Sequence, residues 1–502
     1  MAAVAEASPI SSPVRENKPD QRAAAQPGSK SGPALGEILA PLTYALDLTE
    51  GQPVGHAARS CVVGMRIAEK IGLPASDRSA LYYGLLLKDA GCSSNAAKTA
   101  FLFGADDRKI KHDLKAVNWA RAAETWNFMR QHVAPESSRV ERYLKMAAMM
   151  LHGPNGPKRL VKMRCERGAA IARALGFSDA AARVILDLDE HWNGGGYPDG
   201  LHGSAISLGG RIAGLAQTFE VFFTKLGPQA AIDMIGARRA EWFDPNLVDV
   251  LRLLAGEESF LAELRSPAPA AAAAKLEPTD TSRVVDDALL DRIADVFAQI
   301  VDAKSPYTFR HSRRVAEIAV EMGQAIGYDK SRLRLLRRAG LLHDLGKLGI
   351  SNLVLDKPGK LTDDETAVMQ KHSELSERIL SKVAPFAGLA AVAGAHHERL
   401  DGRGYHRGIA SAELCDEARL LTVADMFEAL TAARPYRGGL PVGKVLEMLR
   451  AEAGKTICGE ALEALQTSLM RNEFESRVAR QMEALDRLSD ELESPNFAGC
   501  AV

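Results

Sequence analysis

The chain has 502 residues, 46% hydrophobic and 25% charged, with a formal net charge of -1. That length exceeds one compact core and predicts two or three globular domains, while the near-zero charge, without a sustained basic stripe, argues against a nucleic-acid polymer as partner. Six scattered cysteines without a CxxC pair fit reduced thiols in a cytoplasmic protein, and no apolar run reaches the roughly 18 residues a membrane helix needs.

In chain order, residues 1–34 are rich in Ala, Ser and Pro, lack an apolar period, and are predicted to be disordered. They show no basic region followed by an apolar core, so no signal peptide is expected and a cytoplasmic location is. Residues 35–260 form a first apolar-periodic region. A linker follows over 261–282, whose stretch Ser266–Ser282 is rich in Pro and Ala. The second region covers 283–470. There Val315, Ile318, Ala319, Met322 and Ile326 repeat at helical spacing, and so do Leu333, Leu336, Gly340, His343 and Lys347. Thr362–Glu365 reads as a capping box opening a helix that runs through His372. A charged tail occupies 471–502. Alternating strand patterns are almost absent, so the predicted class is all-α.

The two regions are copies of each other. His56-x-x-Arg59 and Lys88-Asp89 in the first match His311-x-x-Arg314 and His343-Asp344 in the second, at a constant offset of 255 residues (311 against 56, 344 against 89). Further on, Gly194–Tyr197 matches Gly402–Tyr405 and Gln217 matches Asp425, at an offset of 208 (405 against 197, 425 against 217). The drop of 47 places a net insertion in the first copy between Asp89 and about Arg164, which includes the unmatched HDLKAVNWARAAETWNFMRQ.

Six of the twelve histidines lie between His311 and His406. His311, His343-Asp344, His372 and the pair His396-His397, followed by Asp425, sit beside apolar helical stretches. Burying imidazoles and carboxylates together is costly unless a metal or a partner satisfies them. Five imidazoles and two carboxylates suit Fe, Mn, Zn or Ni and are too nitrogen-rich for Mg or Ca.

HDLGK (343–347), HHERLDGRGY (396–405) and ADMFEALTAARPYR (424–437) resemble the HD-GYP family of the HD phosphohydrolase superfamily. The resemblance covers roughly Leu289 to Leu469. It implies an all-helical domain with a metal centre that hydrolyses cyclic di-GMP to pGpG or GMP. It also implies that His311, His343, Asp344 and Asp425 hold one divalent ion and Asp344, His372, His396 and His397 a second. Fe or Mn is the expected metal, with Zn or Ni as alternatives. Two such ions would generate a nucleophile and neutralise phosphoryl charge, with Asp344 bridging them. Lys347, read as one turn beyond His343 on the same helix face, would act on the phosphate, and Tyr405, Arg434 and Arg437 would contact substrate. Family members with a third metal carry a Glu one turn before the first His; Tyr307 stands there, which implies two ions. The proline after the family's tyrosine is His406 here.

The first copy lacks this chemistry. Lys88 replaces the His of the HD pair, Cys92 the Lys, Arg164 the middle His, Leu188-Asp189 the His-His pair and Gln217 the last Asp. It keeps Gly-Gly-Gly-Tyr197-Pro198, the expected contact surface of a regulatory domain, and Phe243-Asp-Pro245. The reading is therefore a cyclic di-GMP phosphodiesterase with a degenerate first copy. The alternatives are a phosphohydrolase acting on another nucleotide or cyclic dinucleotide, and a non-catalytic receptor or scaffold. A GGDEF-type cyclase contacted through the GYP-like loops and a homodimer are the macromolecular partners considered.

Overall fold

The computed structural model describes residues 33–117, 121–151, 155–279, 283, 285–308, 310–433 and 438–471. The expected disordered start and charged tail therefore lie almost wholly outside the described residues. Among the described residues there are helices and isolated bridges but no strand, and the all-α expectation holds.

The first repeat opens with α1 (Leu35–Thr49), α2 (His56–Lys70) and α3 (Ala75–Leu87). The stretch between α3 and α8, which contains the insertion, holds α4 (Ala96–Phe103), α5 (Asp107–Leu114), α6 (Ala122–His132) and α7 (Arg139–Leu151). The repeat then continues through α8 (Asn155–Ala174), α9 (Asp179–Asp187), α10 (Leu208–Leu226), α11 (Pro228–Ala237), α12 (Pro245–Ala255) and α13 (Glu258–Leu264). A short helix α14 (Pro269–Ala274) lies in the joint between repeats. The second repeat has α15 (Asp287–Asp302), α16 (His311–Ala325), α17 (Lys330–Leu342), α18 (Asn352–Leu355), α19 (Asp363–Leu380), α20 (Ala387–Gly394), α21 (Asp416–Thr431), α22 (Val442–Glu452) and α23 (Gly459–Met470). Helices α2 and α3 coincide end for end with α16 and α17 at the 255-residue offset, and α8, α9 and α10 begin 208 residues before α19, α20 and α21.

Local chemistry sets these boundaries. Asp286 and Asp329 accept N-cap bonds from Leu289 and Arg332, and Thr362 with Glu365 forms the expected capping box at α19. Helix α17 stops at Leu342, although the apolar spacing runs on to Lys347. The next residues form a 3-10 turn, Leu345–Gly349, pressed against α19. A Cβ on Gly346 would lie 2.0 Å from the His372 carbonyl oxygen, and the Gly346 N–H donates to Ser376 Oγ at 2.8 Å. Tertiary packing thus overrides the helical period, and Lys347 sits on the 3-10 turn rather than on a continued helix face.

The Pro/Ala-rich stretch joining the repeats is itself packed. Its helix α14 lies on α1 and α2 with Ala273 buried. Glu277, just beyond, accepts the Gly36 N–H at 2.9 Å and the Tyr83 hydroxyl at 2.6 Å.

One buried apolar cluster runs from Leu35 to Leu469 through both repeats, with a small satellite (Phe103, Ile110, Phe128, Val133, Met146) under the insertion. Sequence reading took the Tyr197–Pro198 loop as the surface by which the first repeat meets either the second repeat or another chain. Among the described residues, contacts between the repeats include ones through α1, α4 and α5. Arg378 bonds the Tyr44 hydroxyl, Arg108 bonds the Gly349 carbonyl, and Asp107 accepts the Asn352 N–H at 2.9 Å while facing Lys304 Nζ at 3.5 Å. The Tyr197 loop is tied to its own repeat, because Glu190 accepts the N–H groups of Asp199, Gly200 and Leu201.

Candidate metal centre

Five segments converge on one buried pocket in the second repeat. His311 is the first residue of α16. Arg310 before it takes a left-handed turn at φ 59°, as Gly55 does at 88° before His56. Non-glycine residues rarely accept that conformation, and it tends to persist where the surroundings enforce it. His343 caps α17, Asp344 opens the 3-10 turn, His372 lies mid-way along α19, His396 and His397 follow α20, and Asp425 lies on α21.

Four of the five imidazoles are aimed by their Nδ1 atoms. His343, His372 and His396 bond the backbone carbonyls of Gly340, Met369 and Ala393 at 2.7, 2.6 and 2.6 Å, and His311 Nδ1 bonds the Glu428 carboxylate. With Nδ1 so occupied, Nε2 is free to face the pocket. The two oxygens of Asp344 divide between two sets of these nitrogens. Oδ2 lies 3.3 Å from His311 and 3.2 Å from His343. Oδ1 lies 3.4 Å from His372 and 3.7 Å from His396. Asp425 Oδ1 is 3.3 Å from His311. His372, His396 and His397 form one cluster of mutually close ligand atoms, and His311, His343 and Asp425 another.

Burial holds the His372 imidazole down at about 3, and those of His396 and His397 are also depressed. Burial alone would raise the carboxyls. For Asp344 the His343 imidazole and the Lys347 ammonium overcome it, and for Asp425 His311 does, holding both well below the usual range. His311 is the exception: burial lowers it, but Glu428, Asp344 and Asp425 outweigh that and hold it high. The depressed imidazoles of His372, His396 and His397 beside anionic carboxylates are donors ready for a divalent cation. His343 Nε2 and Asp344 Oδ1 are buried without a hydrogen-bond partner, an arrangement that costs free energy unless a ligand completes it. The donor set fits divalent cations.

The remaining expected site residues divide. Lys347 bonds the Asp344 carboxylate. The Tyr405 ring lies 4.8 Å from that of His397 and 6.2 Å from that of His372. Tyr307 is exposed on a 3-10 turn at Pro306–Thr308. Arg434 and Arg437 lie outside the described residues. Sequence reasoning missed Glu428 and Glu398. The first orients His311 and bonds Arg314; the second accepts the N–H groups of Arg407, Gly408 and Ile409. The repeat carried a signal for both, since Glu220 and Glu190 stand 208 residues earlier.

At the equivalent point of the first repeat, lysine amino groups fill the pocket. Lys88 Nζ bonds Asp89 and lies 2.9 Å from His56 Nε2 and 3.1 Å from Gln217 Oε1. Just past the inserted α5, Lys115 Nζ lies 3.1 Å from Glu50, 3.5 Å from Asp89 and 3.4 Å from His56. Lys88 is buried against Asp89 and does not face solvent. His56 keeps its carboxylate partner Glu220. Glu50, Asp89 and Cys92 are close enough together to suggest ligands, but Lys111, Lys115 and Arg164 already face Glu50.

The family model described as HD domain matches residues 135–247 and 295–460. The chain is 43% identical over 435 residues to the 3'3'-cGAMP-specific phosphodiesterase 3 of Vibrio cholerae, spanning 87% of this chain and 94% of that protein. It is 32% identical over 177 residues to the cyclic di-GMP phosphodiesterase of Thermotoga maritima, spanning 35% of this chain and 48% of that one. Among solved structures, the crystal structure of a cyclic GMP-AMP specific phosphodiesterase of V. cholerae superposes with a TM-score of 0.61 at 39% identity, covering 87% of this chain and 98% of that chain.

Proposed function

The chain belongs to the HD domain family, and we propose that it is a metal-dependent cyclic dinucleotide phosphodiesterase whose working centre is the pocket of the second repeat. The observation that carries this reading is Asp344: a single buried carboxylate whose two oxygens face different pairs of imidazoles. His311, His343, Asp344 and Asp425 are assigned to one ion and Asp344, His372, His396 and His397 to the other, with Fe or Mn as the expected ions and Zn or Ni as alternatives. When bound, two divalent ions lower the pKa of a water and neutralise charge on phosphoryl oxygens.

The chain's own residues do the rest. The Nδ1 bonds fix the direction of the imidazoles before substrate arrives. Lys347 is assigned to the phosphate, where its ammonium would offset developing charge. Tyr405 is assigned to substrate contact at the edge of the pocket, with Arg434 and Arg437 as further contacts. The repeats are taken as two domains, 35–260 and 283–470, joined by 261–282.

Cyclic di-GMP was the substrate expected from the sequence. The likeness to the 3'3'-cGAMP-specific enzyme runs through both repeats, whereas the likeness to the Thermotoga maritima cyclic di-GMP enzyme covers about a third of the chain. The higher identity to the former, 43% against 32%, favours 3'3'-cGAMP as the preferred substrate, with cyclic di-GMP as the second reading. The test is turnover of both by the full chain purified without air. The proposal expects a linear dinucleotide from one or both, at a higher kcat/KM for 3'3'-cGAMP. Hydrolysis of neither, by metal-replete protein, would overturn it.

A further inference from the structure

The loop that carries Tyr405 is framed in the same way as its counterpart in the first repeat, with one difference. In both, a buried glutamate accepts three successive N–H groups: Glu190 those of Asp199, Gly200 and Leu201, at 2.7, 3.1 and 2.9 Å, and Glu398 those of Arg407, Gly408 and Ile409, at 2.7, 3.2 and 3.2 Å. The first repeat adds Pro198, whose ring fixes its own φ. The second has His406 there and has no such constraint.

Three positions differ together. At the 208-residue offset, Ala169, Leu186 and Pro198 of the first repeat correspond to Glu377, Gly394 and His406 of the second. In the second repeat these three meet. His406 Nε2 lies 2.9 Å from Glu377 Oε2, and Arg407 Nη1 lies 3.6 Å from Glu377 Oε1. A Cβ on Gly394 would lie 2.3 Å from Glu377 Oε2. A side chain the size of Leu186 at position 394 would occupy the space the carboxylate fills. Glu377 therefore joins three segments: α19, which carries His372; the end of α20, which leads into His396 and His397; and the loop, which carries Tyr405.

We propose that Glu377 and His406 are positioning residues, a hydrogen-bonded latch that seats Tyr405 against His397 and His372 in place of the ring constraint that proline supplies in the first repeat. The inference rests on the reading of the second repeat as the hydrolytic one. Both partners keep partial contact with solvent, with side-chain exposures of 19% and 25%, so the latch is of moderate strength.

The test uses the full chain with His406→Ala, His406→Pro, Glu377→Gln and the double variant Glu377→Gln/His406→Pro. Hydrogen exchange of the amides from Arg403 to Ile409 is measured on metal-free protein, and kcat and KM on whichever cyclic dinucleotide the wild type hydrolyses. His406→Ala and Glu377→Gln should each speed exchange about fivefold, the size expected of one partly exposed hydrogen bond. They should raise KM by a similar factor and leave kcat within about twofold. His406→Pro should restore both, and Glu377→Gln should be silent in the proline background. Unchanged exchange in His406→Ala, or an equal effect of Glu377→Gln with and without the proline, would overturn the latch. Exchange needs no turnover, so a wild type that hydrolyses nothing would refute the enzymatic reading and leave this result standing.

Discussion

His311 shows how much of one imidazole's role is set by a residue that never faces the pocket. Glu428 takes its Nδ1, and Arg314 holds Glu428 in turn. Partners of this kind typically contribute roughly 10- to 100-fold to metal affinity or activity. Glu428→Gln should therefore weaken metal retention and turnover by about 10- to 100-fold with the fold intact, measured by competition against a chelator; unchanged affinity would contradict its role. Lys347 makes the opposite prediction. Its ammonium lies against Asp344 but is not a ligand type for a cation, so Lys347→Ala should reduce turnover by about 10²-fold while metal content stays near that of wild type. Loss of the metals instead would mean that it supports the ligands. The seven ligand-type residues were legible because imidazole and carboxylate doublets beside apolar helices must be buried together, which is costly without a cation to satisfy them. Glu428 and Glu398 were not singled out. A glutamate on a helix is ordinary, and what it touches depends on a partner as far away as His311, 117 residues earlier.

Among the elements, the start of α19 was legible to the residue, since its capping box is a local device. The end of α17 was not, because the stop comes from Gly346 packing on the His372 carbonyl and no local sequence rule encodes that. The insertion was legible as a length difference but not as chemistry. It brings Lys115 into the first repeat's interior, where Glu50 and Asp89 face it. Burial raises these carboxyls' cost of ionisation, and the lysines overcome it, holding Asp89 well below its usual range and Glu50 at about 2. Removing one member of a buried charged cluster costs about 3–5 kcal/mol. Lys115→Met should thus lower unfolding stability by about 3 kcal/mol, seen as a reduced denaturant midpoint at unchanged slope. A variant as stable as wild type would show that these ammoniums do not replace the lost cations.

At the scale of the whole molecule, the sequence showed two copies but not that they share one apolar cluster from Leu35 to Leu469. Apolar periodicity says which face of a helix is buried and not against which repeat. The Pro/Ala-rich joint hid this further, since its alanines read as flexible chain but let α14 lie close on α1 and α2. All four tryptophans, Trp119, Trp126, Trp192 and Trp242, belong to the first repeat. Their fluorescence reports that half, while far-ultraviolet circular dichroism reports both. A shared core predicts coincident transitions by the two probes in denaturant; separated midpoints would show that the repeats unfold as independent units.

If one carboxylate in the second repeat serves two cations, the metal-to-chain ratio of full-length protein purified without air reports it most directly. Wild type should carry about two divalent ions per chain and Asp344→Asn about one or none, with the helical signal unchanged. A ratio that Asp344→Asn leaves untouched would contradict the account, as would a wild-type ratio of about three.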